Sequence, residues 1–89
     1  MTDEAKLKIL KALADPTRLS MLRTLVAQGG RSSCGQVSTC SALSQPAKSH
    51  HFGKLVDAGV LVDHKQGPNK YYEVNFDLLA AAGIDAHKL

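Results

Sequence analysis

The sequence predicts a mainly helical domain carrying one β-hairpin, and three observations predict it. Apolar residues recur at helical spacing through residues 3–26 and again through 44–58. After Gly59 the period drops to two: Val60, Val62 and His64 alternate with Leu61, Asp63 and Lys65, and later Tyr72 and Val74 with Tyr71 and Glu73. Between these runs lies Gln66-Gly67-Pro68-Asn69, the composition of a tight turn.

The elements follow in order. Residues 3–14 place Leu7, Leu10, Leu13 and Ala14 at helical spacing. Asp15-Pro16 stops that helix and starts another, with Asp15 as cap and Pro16 as first helical residue. Leu19, Leu22, Leu25 and Val26 form the second stripe, and Gly29-Gly30 ends it. Ser33-Cys34-Gly35-Gln36 fits a capping box and opens a short third helix that carries Val37 and Cys40 inward, followed by a turn at Ala42-Leu43.

Ser44 caps the next helix, Pro46 sits where a missing N–H costs nothing, and Gly59 suits a left-handed stop. Ala47, His51, Leu55 and Ala58 share one side of it, flanked by Phe52 and Val56. The other side shows Pro46, Ser49, His50 and Gly53. An ordinary solvated face favours Glu, Lys and Arg, whereas this one is low and free of acids until Asp57, as suits close approach to a partner. After the hairpin, Asn75 caps a last helix through Phe76, Leu79 and Ala82, where Gly83 breaks it.

The 89 residues make one domain, spanning 1–89, with a 44% hydrophobic content. A chain this short buries only about 60% of its surface on folding, so a partner copy would help. No run approaches the roughly 20 apolar residues of a membrane span, and the N-terminus lacks a signal-peptide pattern, so the expected setting is the cytoplasm with no membrane partner. The net charge of +3 is modest, but its placement is informative. Between Ser44 and Lys54 stand two lysines, two histidines and no acid, and Lys65 and Lys70 lie in a second acid-free segment. Two such segments suit a polyanion.

Helices, a helix–turn–helix pair and a hairpin make a winged helix–turn–helix, with the recognition helix at about 44–58 and the wing at about 60–75. The residues themselves point the same way. Leu10-Lys11-Ala12-Leu13-Ala14-Asp15-Pro16-Thr17-Arg18-Leu19 resembles the entry signature of the ArsR/SmtB family of bacterial repressors. Ser44-Gln45-Pro46, Ser49-His50-His51-Phe52 and Ala58-Gly59-Val60-Leu61 resemble its recognition helix and first wing strand, and Lys70-Tyr71-Tyr72-Glu73-Val74 its second. The resemblance implies a homodimer that binds double-stranded operator DNA and is released by an effector. It also implies that the first and last helices form the dimer interface, here Leu7, Ile9, Leu10, Phe76 and Leu79.

Carried onto this chain, the family pattern assigns Gln45, Ser49 and His50 to bases, and Lys54, Lys65 and Lys70 to phosphates. Physical chemistry agrees: residues near the N-terminus of the second helix read bases, and its positive dipole end favours phosphate. Gln45 can make a bidentate contact to adenine, and Ser49 can donate or accept. Ser44 serves chiefly as the cap, and Pro46 completes the first turn on the DNA-facing side. Lys48 points toward the apolar edge, where snorkelling is the competing role. His51 belongs to the core face as a hydrogen-bonded histidine, and His64 stands open between wing contact and plain strand surface.

The effector stays unidentified by sequence. The arsenic pattern needs clustered thiols, Cys-x-Cys with a further Cys, whereas only Cys34 and Cys40 occur. Asp85-Ala86-His87 resembles half of the family's other metal site, but its second half is missing and a frayed terminus after Gly83 makes a poor zinc site. No metal and no cofactor are therefore expected. A thiol/redox- or metal-responsive sensor using Cys34 and Cys40 is the alternative. Cys34, at a helix N-terminus near Arg31, favours the thiolate, while Cys40 packs as a small hydrophobe. Helical geometry separates them by about 9 Å, beyond the roughly 7 Å that a disulfide spans. A protein-interaction module would show acids or large apolar groups on the recognition face, and an enzyme would show a nucleophile–base pair, paired carboxylates or a phosphate loop. Neither pattern occurs.

Overall fold

The computed structural model describes residues 1–32, 44–67 and 69–89. The short helix expected from Ser33, with Cys34, Val37, Cys40 and the Ala42-Leu43 turn, lies outside the described residues, as do Pro68 and the side chain of Gln45. The elements are helices α1 (Asp3–Leu13) and α2 (Pro16–Ala27), strand β1 (Arg31–Ser32), helix α3 (Gln45–Asp57), strands β2 (Leu61–Gln66) and β3 (Asn69–Val74), helix α4 (Phe76–Ala81) and a 3-10 turn at Ala86–Lys88. The fold is a winged helix–turn–helix, mainly helical with a small antiparallel sheet in the order β1-β3-β2.

Local chemistry sets the helix ends. Thr2, Asp15, Ser44 and Asn75 each accept a first-turn backbone N–H, at 3.2, 3.0, 3.3 and 3.2 Å. Each satisfies a donor that the helix leaves without an internal partner. The far end of α3 closes in a Schellman turn: Val60 N–H donates to Leu55 C=O at 3.0 Å and Gly59 N–H to Val56 C=O at 2.9 Å. Gly59 takes φ +82° there, and the chain leaves directly into β2. Helices α2 and α4 end the same way, on Gly30 and Ile84 bonded back to Leu25 and Leu79.

The core joins Ile9 and Ala12 of α1, Met21, Leu22 and Leu25 of α2, Phe52 and Leu55 of α3, and Val60, Leu61, Tyr72 and Val74 of the hairpin. Leu79, Ala82 and Ala86 close it from the C-terminal side. Two residues expected at the subunit contact are thereby corrected. Ile9 and Leu79 are fully buried in the chain's own core. In α1 the inward face is set by Ile9 and Ala12, so Leu7 and Leu10 turn out to solvent, 53% and 44% exposed. In α4 the short helix turns Leu79 inward and leaves Phe76 half-buried.

Two features lacked a sequence signal. Arg31 and Ser32 pair with Glu73 and Tyr72 as a third strand, too short to show a period. The tail is also packed rather than frayed: Asp85 accepts from His87 N–H at 3.0 Å, Ala86 is buried, and the His87 ring stacks on Phe76 at 5.3 Å.

Gly30 combines a backbone and a packing constraint. It adopts φ +90°, its carbonyl accepts from Val74 N–H at 2.8 Å, and a Cβ there would stand 2.7 Å from Phe76 Cε2. Gly67 in the wing turn also has positive φ, +62°, but a Cβ there meets nothing within 4 Å. Gly30→Ala is expected to destabilise the domain by about 1–3 kcal/mol, and by more than Gly67→Ala. Urea unfolding midpoints of the two variants check this, and equal losses would contradict it.

Candidate nucleic-acid interface

Helix α3 is anchored on one face and bare on the other. Phe52 and Leu55 are buried, and the Phe52 ring stacks on Tyr72 of β3 with centroids 4.1 Å apart and planes within 6°. Such an aromatic pair adds orientation to apolar burial and fixes the helix against the wing. His51 is half-buried beside Arg18 of α2, whose Nη1 lies 3.4 Å from His51 Nδ1. Arg18 Nε donates to Ala12 C=O at 2.7 Å, which ties the end of α1 to α2 and to the inner edge of α3. The Asp15 carboxyl is held below its usual range chiefly by the Arg18 backbone N–H, with the Arg18 charge adding to it against the opposing effect of desolvation.

On the outward face Pro46, Ser49, His50 and Gly53 are all exposed, and the first turn carries no acid. The imidazole of His50 stands edge-on to that of His51 at 5.5 Å. Polar groups on this face can donate to and accept from base edges, and the small residues between them let the backbone approach closely. Lys54, one turn beyond His50, is exposed, whereas Lys48 is half-buried beside the apolar edge.

The hairpin register divides the wing cations between two faces. Leu61 faces Val74, Asp63 faces Tyr72 and Lys65 faces Lys70, so these residues share the side that packs toward α3. Along that side Lys70 Nζ lies 3.5 Å from Asp63 and 5.3 Å from the centre of the Tyr72 ring. Its pKa is raised, first by Tyr72 and, against some desolvation, by Asp63. A groove of about 160 Å³ runs between this side and α3, lined by Ser49, Gly53, Asp63, Lys70 and Tyr72 among others.

His64 turns to the opposite side, stacked on Tyr71 at 4.8 Å with Nε2 3.0 Å from Glu73. Arg31 joins that network, 3.3 Å from Glu73 and donating to the Tyr71 hydroxyl at 3.1 Å. Ser49 and Lys70 thus share the groove, Ser44, Pro46, His50 and Lys54 are exposed along α3, and Lys65 stands on the Lys70 side of the hairpin with His64 on the other. Gly53 and Arg18 belong to the same region. The stripe pattern signals Gly53, whereas Arg18 stands in the entry motif with no assigned role, because its partners come from two other segments. Among the described residues no three His, Cys, Asp or Glu side chains cluster to hold a metal ion, and no helix is long and apolar enough to cross a membrane.

Comparison with known proteins adds the family. A helix-turn-helix domain model matches residues 13–64, more than half of the chain. The transcriptional repressor SdpR of Bacillus subtilis is 37% identical over 80% of this chain and 77% of its own length. The HTH-type transcriptional regulator YceK of the same organism is 35% identical over 84% and 75%. Among solved structures, an ArsR family transcriptional regulator superposes with a TM-score of 0.78 at 26% identity, covering 93% of this chain and 84% of that one. With the anchored helix and its wing, these matches make the chain a DNA-binding transcriptional regulator of the ArsR/SmtB family.

Proposed function

We propose that this chain acts as a homodimeric repressor that seats α3 in the major groove of a two-fold operator. The observation that carries the reading is the exposed, acid-free stripe of Pro46, Ser49, His50 and Gly53 on a helix whose other face is locked into the core. Ser49, His50 and the Gln45 position are the proposed base readers. Ser44 caps the helix end that faces a phosphate, with Pro46 beside it. The repressor names of relatives such as SdpR support repression as the outcome of binding.

Backbone contacts fall to the cations flanking α3. Lys65 is exposed at the wing tip and free of ion pairs among the described residues, while Lys70 is steered by Asp63 into the groove beside Ser49. A phosphate reaching Lys70 competes with Asp63 for the ammonium, so Lys65 carries the larger share of the wing's affinity. The subunit contact rests on Leu7 and Leu10, exposed on α1, with Phe76 of α4. Pairing through them would set two recognition helices about one DNA turn, roughly 34 Å, apart. A soluble regulator of this kind works in the cytoplasm.

Ser49→Ala and His50→Ala should each cost roughly 1–3 kcal/mol on the preferred operator and little on random duplex. Lys65→Ala should weaken all duplexes alike and lower the salt slope by up to about one unit. Fluorescence anisotropy on both duplexes at several salt concentrations measures this. A wing variant that changed sequence preference while the helix variants did not would reverse the assigned roles.

Sedimentation at micromolar concentration should give a dimer for the native chain and a monomer for Leu7→Glu/Leu10→Glu. The paired variant should also lose operator affinity while retaining its helical circular dichroism. A native monomer would contradict the subunit contact.

A further inference from the structure

The side of α3 away from the wing carries a second group of cations. A cavity of about 260 Å³ opens where the end of α1, the start of α2 and the last turns of α3 meet. Lys8 and Lys11 of α1, Arg18 of α2 and Lys54 of α3 line it, with Asp57 as the single carboxylate on its rim. The three lysines are exposed and make no ion pair among the described residues. Arg18 is the fixed member: its Nε bond to Ala12 C=O at 2.7 Å and the approach of its Nη1 to His51 Nδ1 at 3.4 Å hold the guanidinium in place. Four cations from three helices line this cavity with one carboxylate, Asp57, among its lining residues, a charge balance that suits a polyanion.

Position selects the anion. Lys54 lies one turn along α3 from His50, so the outward face runs straight into this cavity. On the other edge of α3 the same face runs into the groove holding Lys70. A helix in the major groove, about 12 Å wide, is bounded by one phosphate strand on each edge. We propose that Lys8, Lys11, Arg18 and Lys54 hold a backbone phosphate of the strand opposite the wing, so that α3 is gripped from both sides. The site rests on the DNA reading above and extends it to helix α1, which that reading used only for pairing subunits.

The test is the salt dependence of binding to a random-sequence duplex, by anisotropy, for the native chain, Lys8→Ala/Lys11→Ala and Lys6→Ala. Lys6 is equally exposed on α1 but does not line the cavity. The double variant should lower the log–log salt slope by about one unit and weaken operator and random duplex by the same factor. Its thermal midpoint should be unchanged, and Lys6→Ala should behave as the native chain. A double variant that matches the native slope while Lys65→Ala still lowers it overturns this site and leaves the helix-and-wing reading standing. A native chain with no salt-dependent duplex binding overturns both. Pyrophosphate titrated into labelled protein forms the remaining arm. Saturable shifts at the Lys8 and Lys11 amides, with an unaltered DNA salt slope in the double variant, would assign the cavity to a free anion and overturn the DNA source.

Discussion

The surface proposed for DNA depends first on how one helix is held. Helix α3 is fixed by Phe52 and Leu55 in the core, by the Phe52–Tyr72 stack to the wing, and by the Arg18–His51 contact to α2. Those three supports come from three different segments, so the helix cannot shift without disturbing the whole core. Its outer face is freed of packing duty in consequence. Small polar residues can occupy it because nothing in the fold requires them to be larger.

The supports also aim the flanking cations. The Schellman turn at Gly59 sends the chain from the end of α3 into β2 with no intervening loop, so wing position follows helix position. The period-2 register then places Lys65 and Lys70 on the helix side and the Arg31–Glu73–His64 network behind. On the opposite edge, the Ala12 carbonyl holds Arg18 beside the cavity lined by Lys8, Lys11 and Lys54. A rigid reading helix with charge on both edges is a geometry suited to a groove walled by phosphates.

What could be read from sequence was what depends on neighbours in the chain. The caps at Asp15, Ser44 and Asn75 and the stop at Gly59 follow from side-chain hydrogen bonding and backbone conformation within a few residues. The bare stripe of α3 follows from helical period alone. What could not be read depends on distant packing. Which side of α1 faces inward is decided by α2 and α3, so Ile9 and Leu79 went to the core while Leu7 and Leu10 stayed out. The outward turn of His64 was implicit in the alternation with Leu61 and needed only one inward residue to fix its parity. Arg31–Ser32 is a strand solely because β3 is there to pair with it, and the four-cation cavity exists only once three helices meet.

The proposed seating of α3 on DNA keeps its outward face low at some expense to the helix's own stability. Gly53 tests it most directly. It sits inside the helix, on the exposed face, and a Cβ there meets nothing within 4 Å. Alanine in its place should stabilise the isolated protein by about 0.5–1 kcal/mol, because glycine loses more backbone freedom on folding. The same methyl group should weaken operator binding, because it stands between the helix backbone and the groove. Measuring the urea midpoint and the operator affinity of Gly53→Ala side by side decides the matter. Higher stability with weaker binding is the result expected, and higher stability with unchanged binding would contradict close seating of this face on DNA.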